Sequence, residues 1–338
     1  MKIGIVILNW NGIELLKTYL PSVVQHSKEH VVYLADNAST DASIEWTAAN
    51  YPEVKIIAME QNLGYAGGYN TALNGVPEEV VCLLNSDVAV TSGWCDIMVA
   101  RFEKDPKLAA CQPKILDDKK KEFFEYAGAA GGFIDRYAYP YCRGRLFDSI
   151  EKDRGQYNDV VDLDWASGAC LFLRKQAYLK VGRLDEDYFA HQEEVDLCWR
   201  FRHAGFVISY EPQSVVYHLG GGTLNNLNPR KSFYNFRNCL YNIVKNDHSS
   251  LWLGVLVMRM LLDGIAALKF LSNLKLAHFS AVLHAHFYFY MHLGSLLKKR
   301  KEIKAFAKVG QVKNNDLSIV YQHFIKGIMN YQKLGKIT

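Results

Sequence analysis

The sequence predicts an α/β fold, a largely parallel sheet flanked by helices, with a C-terminal helical extension. Three observations predict it: Val- and Ile-rich runs alternate with amphipathic stretches early in the chain, polar residues gather directly after those runs, and the last third is helical and apolar. The runs are Ile3 to Leu8, Val31 to Ala35, Val54 to Ala58 and Val80 to Leu84, as expected of strands buried on both faces. Between them Ile13 to Gln25, Ala42 to Asn50 and Tyr65 to Leu73 have helical spacing. Strand, helix, strand in this rhythm makes a parallel sheet with right-handed crossovers. Ligands bind such sheets beyond the carboxyl ends of the strands, which here carry Asn9, Asp36 and Asn37, Glu60 to Gly64, and Asn85-Ser86-Asp87.

From about Lys114 to Asp164 the periodicity dissolves into Gly, Tyr and charged residues, as in loops and irregular strands covering one side of the sheet. Gly168 to Arg174 reads as a strand, Glu193 to Ala204 as a helix stopped by Gly205, and Phe206 to Tyr210 and Val215 to His218 as strands. The 338 residues suffice for a full core, and 49% hydrophobic with 22% charged residues argue against both a polytopic membrane protein and a disordered chain. A net charge of +4 gives no reason to expect nucleic acid as a partner. Seven widely spaced cysteines without a Cys-x-x-Cys pair read as buried free thiols, not as a disulfide framework or zinc site. Met1 leads into a strand pattern without the regions of a secretory signal, so the expected location is the cytoplasm.

After Pro229 the composition turns helical. Leu251 to Leu271 is apolar except for Arg259, Asp263 and Lys269, which share one side of a helix. Leu276 to Leu297 is long enough to span a bilayer, yet it holds His278, His284, His286 and His292, costly in hydrocarbon, and ends in Lys298-Lys299-Arg300-Lys301. The favoured organisation is a main unit over 1–228 and a helical region over 229–338. The helices would lie peripherally on the inner face of the cell membrane, their basic cluster meeting anionic lipid. A helical cap on the main unit and a homodimer interface are competing uses of the same faces.

Several positions can carry chemistry. Asp87 follows the most apolar strand and can coordinate Mg²⁺ or Mn²⁺, ions that prefer oxygen ligands and phosphate, although a turn or cap role competes. Asp36 lies too early to cap the next helix and can accept a hydrogen bond from a nucleobase imino group, whereas Ser39, Thr40 and Asp41 read as caps. Asn62 to Asn70 places Gly64, Gly67 and Gly68 at a helix entry, where bare backbone amides can approach a diphosphate; tight helix packing explains Gly67 and Gly68 equally well. Glu193, Glu194 and Asp196 crowd one first helical turn with more acid than the dipole needs, and a carboxylate there suits a general base. Asp196 and Arg200 read as an i, i+4 ion pair. His218 ends a strand before the glycine run Gly220-Gly221-Gly222, read as a flexible loop, and gains weight only by converging with Asp87 on one metal.

In order from Ile5-Val6-Ile7-Leu8-Asn9-Trp10-Asn11-Gly12 to about His218, these segments resemble the inverting glycosyltransferases of family 2, especially the rhamnosyltransferase-like and galactofuranosyltransferase-like members. The resemblance covers roughly two thirds of the chain. It implies, for 1–228, the nucleotide-diphospho-sugar transferase (GT-A) fold, a Rossmann-like mixed sheet flanked by helices, and a divalent cation, Mg²⁺ or Mn²⁺, as cofactor. It implies a donor side of Asn9, Asp36, Asn37, Asn62, Gly64, Gly67, Asn70, Asn85 and Asp87, with Asp36 on the nucleobase. It makes Asp87 the surviving acid of an Asp-x-Asp metal motif, Asn85 standing where the first Asp would be, and His218 a second metal ligand. Glu194 matches the catalytic base of a Glu-Asp motif, with Glu193 as rival because Glu for Asp adds a methylene. Trp165-Ala166-Ser167-Gly168 resembles the segment where acceptor and donor sugar meet, so Trp165 and Gly168 join His191 on the acceptor side.

The implied reaction is inverting transfer from dTDP-rhamnose or a UDP-sugar to a hydroxyl of a glycan or lipid-linked acceptor, in cell-surface polysaccharide synthesis. Two other functions stand beside it. A non-catalytic sugar-nucleotide-binding subunit of an envelope complex would need an inert base position. A nicotinamide-dependent oxidoreductase shares the opening rhythm but needs a Gly-x-Gly-x-x-Gly turn after the first strand, which this chain lacks.

Overall fold

The computed structural model describes residues 1–220, 228–308, 312 and 314–334. Strands β1 (Ile3–Asn9), β2 (Val31–Asp36), β3 (Lys55–Ala58) and β4 (Val80–Asn85) alternate with α1 (Ile13–Gln25), α2 (Ser43–Asn50) and α3 (Gly64–Ala72), as the rhythm predicts. All pair in parallel, β1 with both β2 and β4, and β2 with β3. Next come β5 (Val88–Val90), α4 (Trp94–Lys104) and β6 (Leu108–Asp117), which the sequence reading did not assign. Within the stretch expected to hold loops and irregular strands, β7 (Gly132–Ile134), β8 (Pro140–Cys142), β9 (Arg145–Leu146) and β10 (Ser149–Ile150) build a small antiparallel sheet.

The main sheet is completed by β11 (Val161–Asp162), β12 (Cys170–Arg174) and β13 (Val207–His218), with α5 (Lys175–Lys180) and α6 (Glu193–His203) between the last two. Its order is β11-β13-β6-β12-β4-β1-β2-β3, with β5 beside β13. Because β12 runs antiparallel to both β4 and β6, the sheet is mixed. The two strands expected on either side of Pro212 are one, β13, whose register against β6 shifts between Glu211 and Val215; proline cannot donate to the ladder there.

Side-chain alternation sorts the central strands between two cores. Ile3, Ile5, Ile7, Cys82 and Leu84 face a layer built with Leu16 and Leu20 of α1 and Trp94, Met98 and Phe102 of α4. Val6, Val81 and Leu83 face the other, with Tyr69 of α3 and Val195 and Trp199 of α6. Burial on both faces explains the unbroken apolar runs, each side chain contributing roughly 1.5–3 kcal/mol. β3 departs from that expectation: it is an edge strand with Lys55 and Ala58 exposed and Ile56 and Ile57 half-buried. All seven cysteines are buried and unpaired.

Helix α7 (Pro229–Asn246) opens with the Asn228 side chain accepting the Arg230 N–H and with proline in its first turn. It is followed by α8 (Trp252–Ser272), α9 (Leu276–Phe306) and the short α10 (Tyr331–Leu334). Leu240, Ile243 and Val244 of α7 and Phe289 and Leu296 of α9 continue the second core. Helix α8 is inside out. Leu256, Arg259, Asp263 and Ala267 face the protein, while Leu253, Val257, Leu261, Ile265 and Leu268 are exposed. Inside, Arg259 Nε donates to Asp263 Oδ1 at 2.8 Å, the guanidinium lies 3.8 Å from the Tyr139 ring, and His286 meets Asp263 at 3.4 Å.

The basic run expected to meet lipid is half spent on the protein. Lys299 donates to Asp185 and Asp187, both at 2.6 Å, and the buried Arg300 donates to the Val244 carbonyl, leaving Lys298 and Lys301 exposed. Among the described residues no helix is long and apolar enough to cross a membrane.

Candidate active site

The carboxyl ends of β1, β2 and β4 meet on one edge of the sheet, Asn9 in register with Asp36 and Leu8 with Asn85. Asp36, only 1% exposed, accepts the Ser39 backbone N–H at 2.8 Å and Asn9 Nδ2 at 3.0 Å. It therefore organises its own loop, while each oxygen keeps a second lone pair. Asn9 Oδ1 is buried without a partner. Ser39 and Thr40 do not cap α2 as expected but bond Asn9 and Asn11; Asp41 accepts the Ile13 N–H at the start of α1 and the Ser43 N–H at the start of α2.

Asn37 fastens this edge to the entry of α3, its amide donating to Asn62 Oδ1 and the Gly64 carbonyl, both at 3.0 Å. Gly64 has φ +68°, which favours glycine, and an added Cβ would sit 3.1 Å from the Phe189 carbonyl. At Gly67 and Gly68 a Cβ would meet Leu63 at 2.9 Å and Leu8 at 2.8 Å, so helix packing accounts for both. Asn70 uses all four hydrogen-bonding positions inside the protein, donating to the Leu184 carbonyl and Glu186 and accepting from Tyr178 and the Leu184 N–H. That corrects its place on the donor side. Trp165 is corrected likewise: it is 4% exposed, its indole N–H donates to the Phe133 carbonyl at 3.0 Å, and its ring covers Gly132.

At the end of β4, Asp87 Oδ1 lies 3.1 Å from His218 Nε2, and His218 Nδ1 lies 3.3 Å from Glu125 Oε1. All three side chains are buried. Burial alone would lower the His218 pKa, but the Asp87 and Glu125 carboxylates against its two nitrogens outweigh it and raise it to about 10. The donor set suits a divalent cation: two ligands about 2.1 Å from one octahedral ion stand about 3 Å apart. A carboxylate behind the imidazole fixes which nitrogen faces the ion. Among the described residues no group of three or more His, Cys, Asp and Glu could hold a metal by itself. A cation here would take its other ligands from phosphate and water, as Mg²⁺ commonly does.

The start of α6 is the most polar buried surface of the site. Glu193 is 5% exposed and Glu194 half-buried. Burial raises Glu194 from an ordinary 4.5 to about 7, opposed by N–H groups at the helix start. Burial and then the Glu194 charge push Glu193 well up as well, so the two neighbouring carboxyls titrate as a pair, both above the ordinary range. Burial followed by Lys231 lowers His191 to about 4, leaving a neutral imidazole. His191 Nε2, Gln192 Oε1, Glu193 Oε2 and Glu194 Oε2 are all buried without a hydrogen-bond partner in the protein. Each such atom costs roughly 1–3 kcal/mol if nothing satisfies it, so four consecutive residues of this kind call for partners from outside the protein, water or a ligand. Asp196 is different, locked between Arg200 at 2.7 Å and Lys245 at 2.7 Å.

Two chains of contacts join these segments. The Tyr65 hydroxyl donates to the Gly168 carbonyl at 2.7 Å within electrostatic reach of Glu193 and Glu194, and the neighbouring Ala169 carbonyl accepts the Asn85 N–H at 3.0 Å. On the other side Lys231 acts on His191 and feels Glu125, which contacts His218. Sequence reasoning missed Glu125 and Lys231 as neighbours of these residues; Glu125 sits where no periodicity marked a strand end. The glycine run expected after His218 lies, from Gly221 on, outside the described residues.

The family model described as glycosyl transferase family 2 matches residues 4–174. The N-acetylglucosaminyl-diphospho-decaprenol L-rhamnosyltransferase of Mycobacterium tuberculosis is 26% identical over 269 residues, 75% of this chain and 87% of that protein. Residues 1–349 of TarS from S. aureus, solved in complex with UDP-GlcNAc, match with a TM-score of 0.54 at 14% identity over 91% of this chain and 84% of that one. GalNAc-T7, solved with UDP, GalNAc and Mn²⁺, matches with a TM-score of 0.55 at 16% identity over 72% of this chain and 47% of that one.

Proposed function

The chain belongs to glycosyl transferase family 2, and from that premise we propose that it transfers a sugar, with inversion, from a nucleotide-diphospho-sugar to a hydroxyl of a lipid-linked glycan. Family membership sets aside the nicotinamide-dependent oxidoreductase. The observation that carries the proposal is the run of four unpartnered polar atoms at His191 to Glu194, next to an ionisable Glu194.

In the proposed reaction Glu194 accepts the proton of the acceptor hydroxyl as that oxygen bonds to the anomeric carbon. The bond from the anomeric carbon to the diphosphate oxygen breaks on the opposite face, and its electron pair leaves with the nucleoside diphosphate. Asp87 and His218 would hold a divalent cation, which would supply positive charge to offset the negative charge gathering on the departing diphosphate. Asp36 and Asn9 line the nucleobase side, and Gly168 and His191 the acceptor side. We place dTDP-rhamnose first among donors, because the Mycobacterium tuberculosis relative is described as an L-rhamnosyltransferase, and a UDP-sugar second.

The inside-out α8 supports a peripheral position on the inner face of a membrane, with the functional division near residue 228. Leu253, Val257, Leu261, Ile265 and Leu268 form an exposed apolar stripe, and Lys269 and Lys275 are exposed near the turn into α9, as in an interfacial helix. A donor panel read by nucleoside diphosphate release tests the function. Release that depends on both donor and acceptor, and that Glu194→Gln abolishes, is expected; release unaltered by that substitution overturns the base assignment.

A further inference from the structure

The segment leading into α6 has an unusual backbone. Phe189, His191 and Gln192 have φ of 62°, 66° and 73°, and none is glycine. Non-glycine residues held at such positive φ cost of order 1–3 kcal/mol each and persist only where the surroundings over-determine them. Gln192, the last of them, precedes Glu193 and Glu194 directly and gives α6 no side-chain cap.

The restraint comes from α7, across the boundary near 228. The Asn238 NH₂, fully buried, faces the carbonyls of Tyr188 at 3.2 Å, Ala190 at 2.9 Å and His191 at 2.6 Å and shares its two hydrogens among them. Arg237 Nε donates to Asn238 Oδ1 at 2.8 Å, which sets the amide so that its NH₂ faces those carbonyls. Arg237 Nη2 also donates to the Asp187 and Tyr188 carbonyls, both at 2.9 Å. Asn242, one turn on, accepts the Tyr188 hydroxyl at 2.6 Å. A helix needing only to pack would bury apolar groups here; this one binds the backbone of the loop carbonyl by carbonyl.

We propose that Arg237 and Asn238 are positioning residues for transfer: they hold the strained 187–192 segment so that the carboxylates at 193 and 194 meet the acceptor hydroxyl. The inference rests on the proposed base role of the α6 carboxylates. Without Asn238 the loop relaxes toward ordinary φ values and carries the α6 start with it. A displacement of about 1 Å at a reacting group costs roughly 10²-fold in rate.

The test uses the full chain. Asn238→Ala is expected to lower kcat about 10²-fold while donor KM, and nucleoside diphosphate affinity measured by calorimetry with Mn²⁺, change less than about 3-fold. Asn246→Ala is the control: Asn246 is equally buried on α7 but bonds Asp196, and its loss should lower the melting temperature without lowering kcat per folded molecule. If Asn238→Ala does not fold, Arg237→Lys, which gives up the paired bonds to two carbonyls, replaces it with a smaller loss of the same kind. Unchanged kcat, or a loss that Asn246→Ala reproduces, overturns the proposal. Glu194→Gln separates the two readings. Full turnover in that variant with a loss in Asn238→Ala sinks the Glu194 assignment and keeps the positioning role; an inactive Glu194→Gln beside a normal Asn238→Ala does the reverse.

Discussion

The Glu194 environment predicts an acid limb in the rate profile close to neutral pH. A base must be ionised to accept the acceptor proton. With Glu194 lifted by burial to about 7, about 9% of it is ionised at pH 6, half at pH 7 and about 91% at pH 8, so kcat/KM should rise roughly tenfold from pH 6 to pH 8. A carboxyl left at its ordinary 4.5 would be almost fully ionised throughout and give no slope. The measurement belongs at saturating Mn²⁺, so that proton competition at His218 adds nothing. Stability moves the other way. Between about 4.5 and 7 the folded protein keeps a proton that the unfolded chain has lost, so this group's contribution falls as pH rises through that window and is flat above it. A profile flat from pH 5.5 to 8, or an acid limb near 4.5, would refute the assignment of this buried carboxyl as base.

Three further outcomes follow. Asp87→Asn and His218→Ala should each weaken Mn²⁺ binding in calorimetry at least tenfold, and excess chelator should stop transfer by the unmodified protein. Leu83→Ala, which empties a fully buried site between β4 and the second core, should cost about 2–5 kcal/mol in denaturant unfolding. Replacing Leu261 and Ile265 on the exposed stripe of α8 with serine should abolish sedimentation with anionic vesicles while leaving transfer to a water-soluble acceptor within about twofold, since neither side chain is buried.

The central strands were legible because burial on both faces demands continuous apolar runs, and β1, β2 and β4 have neighbours on both sides. The edge strand β3 follows the same composition with far less burial, which a run of Ile residues does not disclose. The short strands β7 to β10 escaped because two or three residues carry no period. That two strand-end residues converge was legible for the same topological reason: Asp87 and His218 lie 3.1 Å apart. Asn70 and Trp165 were misplaced because residue type and order say nothing about which way a polar atom points; both spend theirs inside the protein. The face that α8 turns inward was equally hidden. Arg259 and Asp263 pair with each other, so these two charges are buried while Lys269 and the leucines are left outside.

The central claim is that the Asp87 and His218 pair and the Glu194 carboxylate serve one crevice from opposite sides. The most direct measurement is a crystal structure with Mn²⁺ and the nucleoside diphosphate that the donor panel selects. The account predicts the ion on Asp87 Oδ1 and His218 Nε2, its phosphate ligands in the crevice, and the Glu194 carboxylate across from them within reach of an acceptor hydroxyl. An ion held elsewhere, or a Glu194 carboxylate turned away from the bound diphosphate, would contradict it.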